Sequence, residues 1–290
     1  MSIVEDFKNA FRKRNNGLIQ IIIINAVVFI VMGLFNVITD RTGNQAIYEI
    51  VQRQLGLPAR ISEFLVKPWT LLTYSFIHAG FWHVLSNMLF FYQFGRLIDE
   101  YLGNRRLMNI YFMGIVLAGI VYLIFTNTIP FFQVHSLFLV GASAGVFSVM
   151  MAAATLMPDY TFFLFLIGPV RIKYIVAVLF TVVLIQNALN HEDLEIVVHI
   201  TGLLFGYLYI VQLRKGHDLA TPFQNIGRTL RNMFKRKPKM RVTYRSYDNG
   251  DGSYPSEDEV DRILDKINRS GYESLTKEEK QKLFHASQKN

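Results

Sequence analysis

The sequence predicts an all-α, polytopic membrane protein: six transmembrane helices in one bundle, followed by a small helical hairpin outside the bilayer. Three observations carry this. The 290 residues are 51% hydrophobic, with 24 Phe and 14 Tyr, and the mean hydropathy is +0.26. Soluble domains of this length are less apolar. Six stretches approach the roughly 20 residues needed to cross a bilayer. The third observation is that Lys and Arg gather on alternate sides of those stretches, as the positive-inside rule requires.

In chain order, residues 1–16 form a polar tail with Lys8, Arg12, Lys13 and Arg14. No small-residue cleavage site follows the first apolar run, so an uncleaved first span is expected. The six spans are predicted at 17–37, 79–98, 107–126, 137–157, 172–189 and 194–213, which makes 17–213 the transmembrane domain. Arg96, Arg105 and Arg106 follow the second span, and Arg171 and Lys173 follow the fourth. The loops at 127–136 and 190–193 carry neither Lys nor Arg. The 38–68 loop, with Arg41, Arg53, Arg60 and Lys67, is outvoted. Both termini of this multi-pass protein are therefore expected in the cytoplasm, or its equivalent, and the second, fourth and sixth spans run from outside to inside.

A basic juxtamembrane linker is expected at 214–250. Within it, residues 214–245 hold ten Lys and Arg against one acidic residue. That run accounts for much of the net charge of +8 and suits anionic lipid rather than nucleic acid. A solvated linker would read the same way. Residues 251–290 are expected to form the hairpin. Ser256 with Glu259 and Thr276 with Glu279 have the spacing of capping boxes. Val260, Ile263, Leu264 and Ile267 share one face of its first helix, and Leu283 and Phe284 lie on its second. The absence of cysteine excludes disulfides and thiolate chemistry.

Polar residues concentrate in the second, fourth and sixth spans. The second holds His78, His83 and Asn87 around HAGFWHVLSN; the fourth holds Ser143 within GASAG; the sixth holds His199 in VVHITGLLFG. A serine among glycines and alanines ordinarily marks close helix packing. Depth argues for more. His83, Ser143 and His199 each lie about five or six positions past the outer start of their spans, about 7–10 Å deep at 1.5 Å per residue. Intramembrane histidine is costly, and its default reading is functional. Gly141 and Gly145 flank the serine, while Gly202 and Gly206 continue the face of His199; both pairs are expected to let the fourth and sixth helices touch. Serine needs an adjacent base to act as a nucleophile, and His199 is the candidate. His83 and Asn87, at i and i+4, are candidate oxyanion donors, joined by free backbone N–H groups if a helix begins at Ser143. No carboxylate is placed to orient His199, so the expectation is a dyad.

Over residues 60–213 the chain resembles the rhomboid intramembrane serine proteases. The resemblance rests on Gly141-Ala142-Ser143-Ala144 for the GxSx motif, His83 to Asn87 for HxxxN, and His199-Ile200-Thr201-Gly202 with Gly206 for HxxG and GxxxG. It implies Ser143 as nucleophile, His199 as base, and His83, Asn87 and the Ser143 N–H at the oxyanion. It also implies Phe147 against the base and His78 as an auxiliary residue near the site mouth. The implied activity is endoproteolysis of transmembrane protein substrates, admitted by a gate at the fifth helix and the loop before the sixth. The chain departs from the family at Ala144, where many members have Gly, and in lacking a Trp-Arg pair in the first loop.

Other readings stand beside this one. A catalytically silent client-binding protein on the same scaffold usually lacks the serine or the base. A proton-relay transporter would want carboxylates in the inner parts of the spans, where there are none. A zinc site from His78, His83 and His199 is allowed by residue type, but there is no HExxH and no ligating carboxylate nearby. Neither metal nor cofactor is expected.

Overall fold

Helices occupy all six apolar segments in the computed structural model, which describes residues 16–132, 138–164, 167–221 and 255–287. The tail at 1–15 and most of the basic 214–245 run lie outside the described residues. Residues group into two compact units, Met1–Met233 and Phe234–Asn290.

In the first unit the long helices are α1 (Gly17–Arg41), α5 (Phe81–Leu102), α6 (Asn104–Thr128), α7 (Ser143–Leu156), α8 (Ile172–Leu189) and α9 (Asp193–Arg214). Between α1 and α5 come α2 (Gln45–Leu55), α3 (Ile61–Val66) and α4 (Thr70–Thr73). Four helices, α1, α6, α8 and α9, are long and apolar enough to cross a membrane. Helix α5 has the length, at 22 residues, but carries His83, Ser86, Asn87 and Gln93. Their outward apolar side chains, including Ile30, Leu34, Val178, Val182 and Leu204, are exposed, as suits lipid and not water.

The fourth segment departs from expectation. Only Ser143–Leu156 is helical, 14 residues in place of the 21 predicted. The residues before it form β2 (Phe138–Leu139), paired antiparallel with β1 (Leu57–Pro58) in the first loop. Gly141 then turns the chain with φ +120°, and its N–H donates to the Tyr74 carbonyl at 2.9 Å. Apolar periodicity could not reveal this, because a short buried strand and a buried helix read alike.

The all-α expectation also omits a hairpin between α7 and α8. Strands β3 (Thr161–Leu164) and β4 (Gly168–Arg171) pair antiparallel. Aromatic residues in β3 favour strand, and Gly168, at φ +87°, supplies the turn.

Helix α7 is the hub. It packs against α5, α6, α8 and α9, and ten of its 14 residues are buried. Lipid tails are as apolar as leucine, so helices hold together in a bilayer by close fit. Small residues provide it here. A Cβ on Gly202 would meet the Ala144 carbonyl, and one on Gly206 the Ser148 carbonyl. Gly145 does not serve this contact, contrary to expectation. It faces α6, where a Cβ would lie 2.8 Å from Tyr111 Cδ2 and 2.9 Å from Ile115 Cγ1. One position along a helix rotates a side chain by about 100°, so Ala144 and Gly145 face different neighbours. The far end of α7 is tied to α9 as well: Arg214 Nη2 donates to the carbonyls of Thr155, at 2.8 Å, and Leu156, at 3.2 Å.

The first loop is anchored without a Trp-Arg pair. Asn127 Nδ2 and Thr126 Oγ1, from α6, donate to the Ala59 carbonyl at 2.9 and 2.7 Å. Tyr74 Oη donates to the Ile115 carbonyl at 2.8 Å.

The second unit contains α10 (Glu257–Ser270) and α11 (Lys277–Ser287). Ile263 and Leu275 are buried, whereas Leu264 and Phe284 are exposed. The Thr276–Glu279 capping box forms reciprocally, at 2.7 and 3.3 Å. The Ser256 hydroxyl makes no cap hydrogen bond, but the Glu259 carboxylate accepts from the Ser256 backbone N–H and from Lys282, at 3.0 Å. Lys266 donates to both oxygens of Glu279, at 2.8 and 2.9 Å. Hydrogen bonds from these lysines hold both carboxyls below the usual carboxylate range.

Two predictions follow from this packing. Gly206→Ala should destabilise the protein by about 1–3 kcal/mol through overpacking against the α7 backbone, whereas Gly33→Ala, which meets nothing within 4 Å, should not. Equal thermal unfolding of the two variants in detergent would contradict the packing. In the hairpin, the depressed carboxyl pKa values contribute stability that is fully present above the unfolded value of about 4.3. That contribution is lost as pH falls through the folded values. Protection from hydrogen exchange at 255–287, taken relative to the intrinsic rate at each pH, should therefore fall below about pH 4, and Glu279→Gln should reduce the acid sensitivity; an unchanged acid response would contradict this.

Candidate active site

The start of α7 sets the site. Ser143 is its first residue, and the first bond of the helix runs from the Val146 N–H to the Ala142 carbonyl at 3.1 Å. The N–H groups of the first turn have no intrahelical acceptor, and the helix dipole makes this end partially positive. Ser143 is half-buried, while Gly141, Ala142 and Ala144 around it are buried.

His199 comes from the second turn of α9 and is buried. The glycine contacts just below it bring α9 onto α7, so its Nε2 lies 2.8 Å from Ser143 Oγ. One ring face packs on Phe147, one turn along α7 from the serine, with centroids 4.9 Å apart and planes at 52°. Phe147 is backed in turn by Phe180 of α8, edge-on at 6.0 Å.

His83 lies in the first turn of α5, on the other side of the serine. A Cβ on Gly141 would fall 2.9 Å from its Cε1 and 3.0 Å from its Nε2. A side chain at 141 is thus barred twice, by φ and by the imidazole. His78, buried ahead of α5, packs edge-on against His83 with centroids 5.1 Å apart. Asn87, one turn below His83, is buried, and its Nδ2 has no hydrogen-bond partner among the described residues. It makes no direct contact with Ser143 that would match the Ser143–His199 bond.

The predicted residues thus sort into groups. Ser143, His199, Phe147, His83 and Gly141 converge. Gly202 and Gly206 act beneath them through the helix contact. Gly145 belongs to the α6 interface, and His78 reaches the site only through His83. Among the described residues, no three His, Cys, Asp or Glu side chains are grouped to hold a metal ion.

Sequence reasoning missed one participant. Asn187, in the last turn of α8, is buried with its Nδ2 3.1 Å from His199 Nδ1. Its signal was available: it is an amide inside a predicted span, and such side chains are retained where they find partners.

Chemically, this is a hydroxyl hydrogen-bonded to an imidazole at the positive end of a helix, with a second imidazole, His83, against the adjoining Gly141. A family model described as Rhomboid domain matches residues 66–216, just over half of the chain. A second, Family of unknown function (DUF6576), matches residues 254–289. No curated protein matches the chain.

Proposed function

The chain belongs to the rhomboid family, and from that premise we propose that it is an intramembrane serine endopeptidase using Ser143 as nucleophile and His199 as general base. It is an integral membrane protein of a family that acts on transmembrane substrates within the bilayer. The observation that carries the enzymatic reading is the 2.8 Å bond between His199 Nε2 and Ser143 Oγ.

Ser143 Oγ attacks the carbonyl carbon of the scissile peptide while its proton passes to His199 Nε2. Charge gathers on the former carbonyl oxygen. First-turn N–H groups of α7, including that of Ser143, answer it together with the His83 ring and the spare Asn87 amide. Collapse breaks the C–N bond, and His199 returns the proton to the leaving amine. Water, deprotonated by His199, then releases the acyl group and restores Ser143.

Helix length supports a site below the membrane surface. Fourteen residues span about 21 Å, short of a hydrocarbon core of about 30 Å. The chain ahead of Ser143 is non-helical, which is tolerated at that depth only when it is packed in protein or lines a cavity. Here β1, Tyr74 and His83 cover it.

The same reading puts six spans in a bacterial inner membrane with both termini cytoplasmic, and assigns the 214–245 segment to anionic lipid. His78 supports His83, and Phe147 supports His199. The silent client-binding alternative is disfavoured because serine and base are both present and bonded.

Reconstituted wild type should cleave a single-span substrate in proteoliposomes. Ser143→Ala and His199→Ala should each lower the rate by about 10⁴-fold or more without changing the unfolding temperature. Asn87→Ala should cost about 10²-fold or less. Cleavage that survives both dyad substitutions would exclude the mechanism.

A further inference from the structure

We infer that Asn187 is a positioning residue that pairs with His199 Nδ1 and holds the ring with Nε2 toward Ser143 in either neutral tautomer. This rests on the serine-protease reading above and extends it to a residue that none of the motifs contains.

The inward face of α8 explains why an amide at 187 is out of place. Ile172 and Val176 are buried, and Leu179, Phe180 and Val183 are partly buried against the core. Asn187 continues that row at the helical spacing as its only polar member, 5% exposed. Leucine would satisfy packing there. A buried amide is costly unless it is hydrogen-bonded, and its partner is His199 Nδ1 at 3.1 Å. The connection of three residues, 190–192, between α8 and α9 brings the last turn of one helix against the second turn of the other. The Glu192 N–H donates to the Asn187 carbonyl at 2.8 Å, so the backbone is fixed where the side chain acts.

The chemistry follows from the two nitrogens of imidazole. His199 can take the Ser143 proton only if Nε2 is bare, and the ring's own proton then sits on Nδ1 and needs an acceptor. A carboxamide serves both states. With Nδ2 facing Nδ1, as here, it donates to a bare nitrogen, and Nε2–H points at Ser143 in a resting arrangement. After a half-turn of the amide, Oδ1 accepts from Nδ1–H, and Nε2 is free to act as base. A carboxylate there would serve only the Nδ1–H state, because it accepts and does not donate. Serine, imidazole and amide therefore form a relay across α7, α9 and α8, with Phe147 closing one face of the ring.

The test uses full-length protein in proteoliposomes and compares wild type, Asn187→Leu and Asn187→Asp. The leucine variant keeps the packing and removes the hydrogen bond; aspartate keeps only the acceptor. Asn187→Leu should lower kcat about tenfold, the worth of one neutral buried hydrogen bond, with KM within about twofold of wild type. Asn187→Asp should recover most of that loss. Ring nitrogen-15 NMR, with His199 assigned by its own substitution, should show the Nδ1 signal displaced in the leucine variant, whose unfolding temperature confirms that it is folded. Wild-type kcat in the leucine variant, or an unchanged Nδ1 signal, would overturn the assignment. If no Ser143-dependent cleavage is found at all, the protease reading fails separately, and the Nδ1 signal alone decides whether Asn187 governs the ring.

Discussion

Close approach of α7 and α9 is the constraint on which the site depends. No hydrophobic force draws helices together within a bilayer, so contact at this range requires backbones that fit. Gly202 and Gly206 provide it by leaving room for the Ala144 and Ser148 carbonyls. Arg214 holds the other end by donating to the last carbonyls of α7. Between these two fixings, the Ser143–His199 distance follows from the geometry of two rigid helices and needs no flexible loop.

The second constraint is where α7 begins. A continuous span through residues 137–157 would bury every first-turn N–H in helical bonds and leave Ser143 without donors beside it. Starting the helix at Ser143 frees those groups and turns the dipole toward the serine. The cost is irregular backbone ahead of the helix, met by strand pairing with β1, by the Tyr74 carbonyl, and by a glycine in a conformation other residues avoid. The first loop is therefore part of the site's support. Its anchors on α6, Thr126 and Asn127, hold that support in place from a distance.

The amino-acid pattern made the six helical segments legible, because apolar runs of that length have few other uses. The nearness of Ser143 and His199 could be read from depth and from the glycines after the histidine. The orientation of Gly145 could not, since GASAG offers small residues on every side and only the neighbours decide which one faces α9. The short helix at Ser143 was hidden because the strand before it is as apolar as the helix after it. Asn187 was passed over inside an otherwise ordinary span, where only the fold reveals that its face of α8 meets the imidazole. The β3–β4 hairpin lay in a segment read simply as a loop.

The central claim is that Ser143 is an activated nucleophile. The most direct measurement is covalent labelling of purified, detergent-solubilised protein with a serine-reactive fluorophosphonate, comparing wild type with Ser143→Ala and His199→Ala. The account predicts labelling of the wild type, none of the serine variant and little or none of the histidine variant, with the adduct mapped to Ser143. Folded wild type that stays unlabelled under conditions in which a known serine protease reacts, or label that persists in Ser143→Ala, would contradict it.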